Sequence, residues 1–303
     1  MQIDILSEDE TRQAGLSLVD SRERYPTRHE TNEAGIPLLT IENPLGKACI
    51  SLQGAQVLSF EPTGGRDWLW LSPRATFRRG KPIRGGIPLC LPWFGPGPDG
   101  QTMHGFARTS DWSLVETEVL PDRSTRVALE LAGGPGFNDL WPHAFHFRLD
   151  VIVGTRLRLV LTIANRDHSP APLAFAFHSY FDIPDITEVR IAGLEGLTYI
   201  DKFDAFARKP QHGELSITGK TDRIYLDAPE CQTLTSQAGT LLIQSDARDA
   251  VVWNPWEKDA DFADIGADNH RSFVCVECGN MADHALVLAQ EQQHQVAMTL
   301  SPR

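Results

Sequence analysis

Residues 145–153 read FHFRLDVIV and residues 156–164 read RLRLVLTIA. Both runs are short and rich in Val, Ile, Leu, Phe and Thr, the composition of β-strands. The rest of the chain keeps that rhythm, because 24 Gly and 20 Pro break its 303 residues into short apolar runs. Working outward, the pattern predicts strands over 37–42, 47–52, 55–60, 111–117 and 125–132 on one side. On the other it predicts strands over 172–180, 188–192, 241–245, 249–253, 272–277 and 294–300. Helical periodicity is confined to residues 5–18 and to a turn or two at 256–265, where Trp256, Phe262 and Ile265 would share a face. The strand–helix alternation of a doubly wound nucleotide fold is missing, as are internal repeats and low-complexity linkers. A single all-β domain is therefore expected, since sandwiches run past ~200 residues as one unit.

Composition narrows the partners. A formal net charge of −12 repels polyanions, so neither nucleic acid nor an anionic membrane is expected to bind. No window approaches the ~18 consecutive apolar residues of a membrane helix. Cys49, Cys90, Cys231, Cys275 and Cys278 are an odd number of thiols in apolar surroundings, and the N-terminus lacks a basic segment followed by an apolar run. Reduced thiols in a cytoplasmic protein are the reading. Cys275 and Cys278 have C-x-x-C spacing but no second pair, and their strand-like surroundings make them core thiols. His143 and His146 have H-x-x-H spacing without a third ligand, so structural roles are expected for them.

Five constellations carry chemistry. Arg74, Arg78, Arg79, Lys81 and Arg84 invert the local charge and lead into Gly85-Gly86. Guanidinium forks and unshielded backbone N–H groups suit a phosphate; a basic surface loop balanced by carboxylates would look the same. In the run His104-Gly105-Phe106-Ala107-Arg108, an extended strand would put His104 and Arg108 on one face, about 13 Å apart, unless Gly105 bends the chain. Residues 174–181 alternate, with Ala174, Ala176, His178 and Tyr180 on one face and Phe175, Phe177, Ser179 and Phe181 on the other. Large rings on one side imply a core, and small alanines beside His and Tyr imply room for a ligand. Glu277 shares a face with Phe273 and Cys275 in an apolar strand, where lost hydration raises its proton affinity; a structural pairing with an arginine is the alternative. Finally, Asp222 in Thr221–Tyr225 could hold hydroxyls, and Trp253 and Trp256 could cover an apolar sugar face; either could also be a turn and its packing.

Taken in order, the motifs RGGIPLCLPWFG (84–95), His104–Arg108, Phe177-His178-Ser179-Tyr180-Phe181, Thr221–Tyr225, Val252–Pro255 and Glu277-Cys278-Gly279-Asn280 resemble the hexose-6-phosphate mutarotases. These, also called glucose-6-phosphate 1-epimerases, are a branch of the aldose 1-epimerase superfamily. The resemblance spans about residues 30–300 and leaves the first 25–30 residues peripheral to the domain. It implies a β-supersandwich of two large, mostly antiparallel sheets, as in galactose mutarotase, with the sugar in a concave cleft. It implies His178 and Glu277 as the catalytic pair, His104 assisting, Arg84 and Arg108 on the 6-phosphate, and Asp222 as a further acid. Lys81 is added from the basic cluster. Leu91 stands where an aromatic would not surprise in relatives, a departure that leaves the chemistry untouched. The expected reaction interconverts the α and β anomers of a hexose 6-phosphate, with neither metal nor organic cofactor, in a monomer. Mutarotation of free aldoses, a glycosidase or lyase on a similar sandwich, and a non-catalytic carbohydrate-binding sandwich are the competing readings.

Overall fold

A computed structural model describes residues 15–26, 28 and 35–303. The two runs quoted first form the strands Phe145–Val153 and Leu157–Asn165, paired antiparallel from Phe145 opposite Asn165 to Val153 opposite Leu157. Their alternation sorts the side chains. Phe145, Phe147, Leu149, Val151 and Val153 are buried, while Arg148 and Asp150 lie on the outer face in a charge ladder with Arg126, Glu116 and Glu130. These strands sit in a nine-stranded sheet; an eight-stranded sheet faces it, and four- and two-stranded ladders flank the pair. Every ladder between named strands is antiparallel.

One apolar cluster joins the two large sheets. Val127, Leu129, Phe147 and Leu161 of the nine-stranded sheet belong to it together with Phe175, Phe177, Phe181, Val252, Val274 and Val276 of the eight-stranded sheet. Each fully buried ring or branched chain contributes roughly 1.5–3 kcal/mol, so this shared face holds the sandwich together. The opposite face of the eight-stranded sheet carries smaller apolar groups, Ala176, Val251 and Cys90, and it is there that the cleft lies.

Several boundaries differ from the sequence pattern. Leu16–Asp20 is a strand paired with Pro37–Asn43, not the end of a helix; residues 5–14 of that expected helix lie outside the described residues. This strand buries Leu16, so the expected periphery is in part a sheet edge. The expected strand 172–180 is three pieces, Ala171–Leu173, Phe175–Phe177 and Tyr180–Asp182. Short, polar strands such as Thr198–Asp201, Ala207–Pro210 and Cys231–Ser236 escaped the pattern because they lie towards sheet margins and need little apolar surface. At 256–261 a 3-10 turn forms as expected, but Trp256 packs on the main core whereas Phe262 and Ile265 join a separate cluster with Trp70 and Phe273. No helix among the described residues is long and apolar enough to cross a membrane.

Candidate active site

The strand Phe273–Asn280 is buried along its whole length and positions the Glu277 carboxylate. Its partner is interrupted: Phe177 pairs with Cys278 and Tyr180 with Cys275, so the two unpaired residues between them, His178 and Ser179, sit opposite Glu277 and Val276. The His178 N–H turns away from the ladder to donate to the Pro88 carbonyl at 2.9 Å. This interruption leaves His178 Nε2 3.4 Å from Glu277 Oε1, with both side chains nearly inaccessible. The imidazole lies flat on Tyr180, 4.8 Å between centroids, and edge-on to His104 at 5.6 Å.

Burying an ion without full compensation costs several kcal/mol, and the dyad responds accordingly. Burial pushes Glu277 well above the ordinary carboxylate range; Lys202 and Arg108 oppose the shift and Asp222 adds to it. Burial, reinforced by His104, Arg84 and Arg108, pushes His178 well below an ordinary imidazole. The pair thus holds one proton over a wide pH window. It gains a second only in acid, where His178 titrates, and loses its last only where Glu277 titrates.

His104 stands beside this pair by a bend, not by an extended strand. Both His104 (φ 62°) and Gly105 (φ 68°) are left-handed, and a Cβ on Gly105 would lie 1.9 Å from the Leu91 carbonyl oxygen. The chain then turns through the 3-10 segment Ala107–Thr109, which sends Phe106 into the core and returns Arg108 to the side of His104. His104 Nδ1 accepts from the Gly95 N–H at 3.2 Å, which leaves Nε2 as the protonated nitrogen of the neutral ring.

The cleft is about 240 Å³ and is lined by Arg84, Arg108, Lys202, Asp222, Trp253 and Phe262 besides the three residues above. That is smaller than the ~300–1,000 Å³ of sites for drug-sized molecules, and it suits a monosaccharide. Arg84 donates from Nε to Asp264 at 3.0 Å and from Nη1 to the Tyr180 hydroxyl at 2.8 Å. Arg108 donates from Nη2 to the Met103 carbonyl at 2.6 Å, and its buried Nε lacks a protein partner. Asp222 pairs with Lys202 at 2.8 Å. The loop bearing Phe262 and Asp264 is held from below: Asp259 accepts from the His270 N–H and meets its ring Nδ1 at 2.8 Å, and Ser72 donates to the Asp264 carbonyl.

Of the residues singled out in sequence, His178, Glu277, His104, Arg84, Arg108 and Asp222 converge on this cleft. Lys81 does not; it lies on an exposed turn, and the basic cluster disperses, with Arg79 pairing Asp111. Nor do Gly85 and Gly86 offer a phosphate cradle. The Gly86 N–H is taken by the Trp70 carbonyl at 2.8 Å, and a Cβ there would lie 2.2 Å from the Val57 carbonyl oxygen, so the glycine serves close backbone packing. Trp253 lines the cleft, whereas Trp256 packs against His270 away from it. Lys202 was missed, since a lysine in the polar turn after Asp201 carries no motif. His146 pairs with Glu130 on the outer sheet face. A larger groove of about 630 Å³ runs past Arg156, Arg158 and Asp246, but its charged residues are all exposed and it holds no acid–base pair.

The comparisons with known proteins agree with this geometry. A protein from Cenchrus ciliaris with the provisional name glucose-6-phosphate 1-epimerase is 38% identical, the match covering 75% of this chain and 73% of that protein. A protein of Escherichia coli (strain K12) with the same provisional name is 32% identical over 86% of this chain and 88% of its own. The crystal structure of a Salmonella typhimurium protein described provisionally as a mutarotase superposes with a TM-score of 0.82 at 30% identity, covering 90% of this chain and 92% of that one. The profile of the family called aldose 1-epimerase matches residues 37–301. A β-sandwich matched by that profile over most of its length, with a buried His–Glu pair in a sugar-sized cleft, belongs to the aldose 1-epimerase family.

Proposed function

We propose that this enzyme interconverts the α and β anomers of a hexose 6-phosphate, glucose 6-phosphate first among them. The observation that carries the reading is the presence of Arg84 and Arg108 in the same small cleft as the His178–Glu277 dyad. A neutral sugar needs an acid–base pair but no paired guanidinium groups, whereas a phosphate is matched by their N–H forks. The names of the two relatives described above point to the same substrate.

Opening the ring requires removal of the proton on the anomeric hydroxyl and protonation of the ring oxygen. Both oxygens are bonded to C1, so acid and base must lie side by side, as Glu277 and His178 do. Burial favours the neutral pair, so the active state is the minor tautomer of the one-proton dyad, in which Glu277 is ionised and His178 carries the proton. Glu277 takes the hydroxyl proton as the C1–O5 bond breaks, and His178 delivers its proton to O5. The dyad then stands as carboxylic acid and neutral imidazole, still with one proton. Rotation about C1–C2 presents the other face of the aldehyde, and the reverse transfers close the ring. His104, with Nε2–H available, donates to an oxygen at the anomeric carbon, and Asp222 and Trp253 hold the hydroxyls and an apolar face of the ring. The reading places the enzyme in a reducing compartment, which suits its five unpaired cysteines, and treats it as a monomer.

Exchange NMR between the two anomeric protons tests the substrate. Acceleration with glucose 6-phosphate and little with glucose or galactose is expected; acceleration with the free sugars alone would overturn the phosphate assignment. The pH dependence tests the one-proton dyad. A bell-shaped kcat/KM is expected, with the acidic limb below the ordinary imidazole pKa and the alkaline limb above the ordinary carboxylate pKa. Because the Lys202 charge favours ionised Glu277, Lys202→Met should move the alkaline limb to higher pH, an effect visible in the same profile.

A further inference from the structure

Cys275 takes no part in the reaction above, yet its position beside the dyad has chemical consequences. It precedes Glu277 by two residues on the same strand and therefore points to the same face, opposite Tyr180 in register. One donor atom each from His178, Cys275 and Glu277 lies within 4.8 Å of the others, and all three side chains are buried. Glu277 Oε2 is buried with no hydrogen-bond partner, a state that costs about 1–3 kcal/mol and that a cation held by both oxygens of the carboxylate relieves.

We propose that His178, Cys275 and Glu277 form a three-donor nitrogen, sulfur and oxygen site for a thiophilic divalent cation such as Zn²⁺, which competes with the sugar and switches the enzyme off. The dimensions fit. With Zn–N and Zn–O bonds of ~2.0–2.1 Å and Zn–S of ~2.3 Å, a tetrahedral site has an N···O edge of about 3.3 Å and sulfur edges of about 3.6 Å. The His178 Nε2 to Glu277 Oε1 separation is already 3.4 Å, and a donor atom of each of the three residues lies within 4.8 Å of the others, so closing the site takes an approach of the Cys275 sulfur on the order of 1 Å. The surrounding charge is mixed: Lys202 is paired with Asp222 and Arg84 with Asp264, while Arg108, held only by a backbone carbonyl, opposes the cation and limits its affinity. The fourth position opens to the cleft, where water or a sugar oxygen completes the shell. Binding releases the Cys275 thiol proton and the dyad's proton to solvent, so the cation binds more tightly as pH rises and occupies the lone pairs that the proton transfers use.

The binding does not depend on the reaction assigned above; the inhibition does. Titration of the full chain with Co²⁺ as a spectroscopic stand-in, followed by displacement with Zn²⁺, separates the two. In a Cys231→Ser background, which removes the exposed thiol, one Co²⁺ should bind with a thiolate-to-metal charge-transfer band that glucose 6-phosphate diminishes. Cys275→Ser and Cys275→Ala should both abolish the band and weaken Zn²⁺ by at least ~10-fold, since even losing a residue behind a ligand costs 10–100-fold. Zn²⁺ inhibition of anomer exchange should weaken in parallel. Absence of the band, or its persistence in folded Cys275 variants, overturns the site. Zn²⁺ binding with no anomer exchange on any sugar would leave the site standing and sink the reaction.

Discussion

Glu277→Gln should lower kcat for glucose 6-phosphate anomer exchange by about 10²–10⁴-fold with little change in KM, and His178→Asn should do the same. Gln is isosteric with Glu, and Asn, smaller than His, keeps a polar amide in place of the ring stacked on Tyr180; neither can carry the proton. Neither should unfold the chain, because burial already favours the neutral form of whichever partner is left, and the apolar neighbours stay in place. The double variant should be little worse than either single one, as expected when base and acid act together in one step. Near wild-type turnover in either single variant, measured by exchange NMR with the fold checked by circular dichroism, would remove that residue from the mechanism.

The second large effect concerns the phosphate. Arg108→Met should raise KM for glucose 6-phosphate by roughly 10–10²-fold, the equivalent of one charge-assisted hydrogen bond of about 1.5–3 kcal/mol. Any slow exchange of free glucose should keep its KM and change only through the pH profile, because the Arg108 charge also acts on His178 and Glu277. Arg108 is the cleaner target because its one protein acceptor is a backbone carbonyl, whereas Arg84 is also tied to Asp264 and Tyr180. Replacing Arg84 should therefore lower kcat as well, through the Tyr180 ring on which His178 lies. Equal losses for phosphorylated and free sugars in Arg108→Met would show that the arginine supports the cleft instead of reading the phosphate.

How far the site was legible depends on whether its signal was local. The alternation at 174–181 separates the Phe face from the His face because a strand has period two, and the core indeed takes Phe175, Phe177 and Phe181. Glu277 stood out for the same reason, as a charge inside an apolar strand. The bend at His104-Gly105 was harder, since a glycine permits a left-handed turn without requiring one; what requires it is the Leu91 carbonyl packed against its α-carbon. The basic cluster was misleading as a unit. Sequence proximity put Lys81 with Arg84, but Lys81 sits on an exposed turn and does not line the cleft.

The sequence by itself determined the all-β class, the inner face of the long strands, and the residue types able to do acid–base chemistry beside an anion, because these follow from side-chain periodicity and composition within a few residues. Only the tertiary structure decided which of those residues meet. The 3.4 Å approach of His178 to Glu277 spans 99 positions and rests on the break in pairing between Phe177 and Tyr180. Lys202 and Asp264, unmarked in sequence, became part of the cleft and its rim for the same physical reason: long-range antiparallel pairing and loop packing bring them there, and the charges of Lys202, Arg108 and Asp222 act on Glu277 only at those short distances.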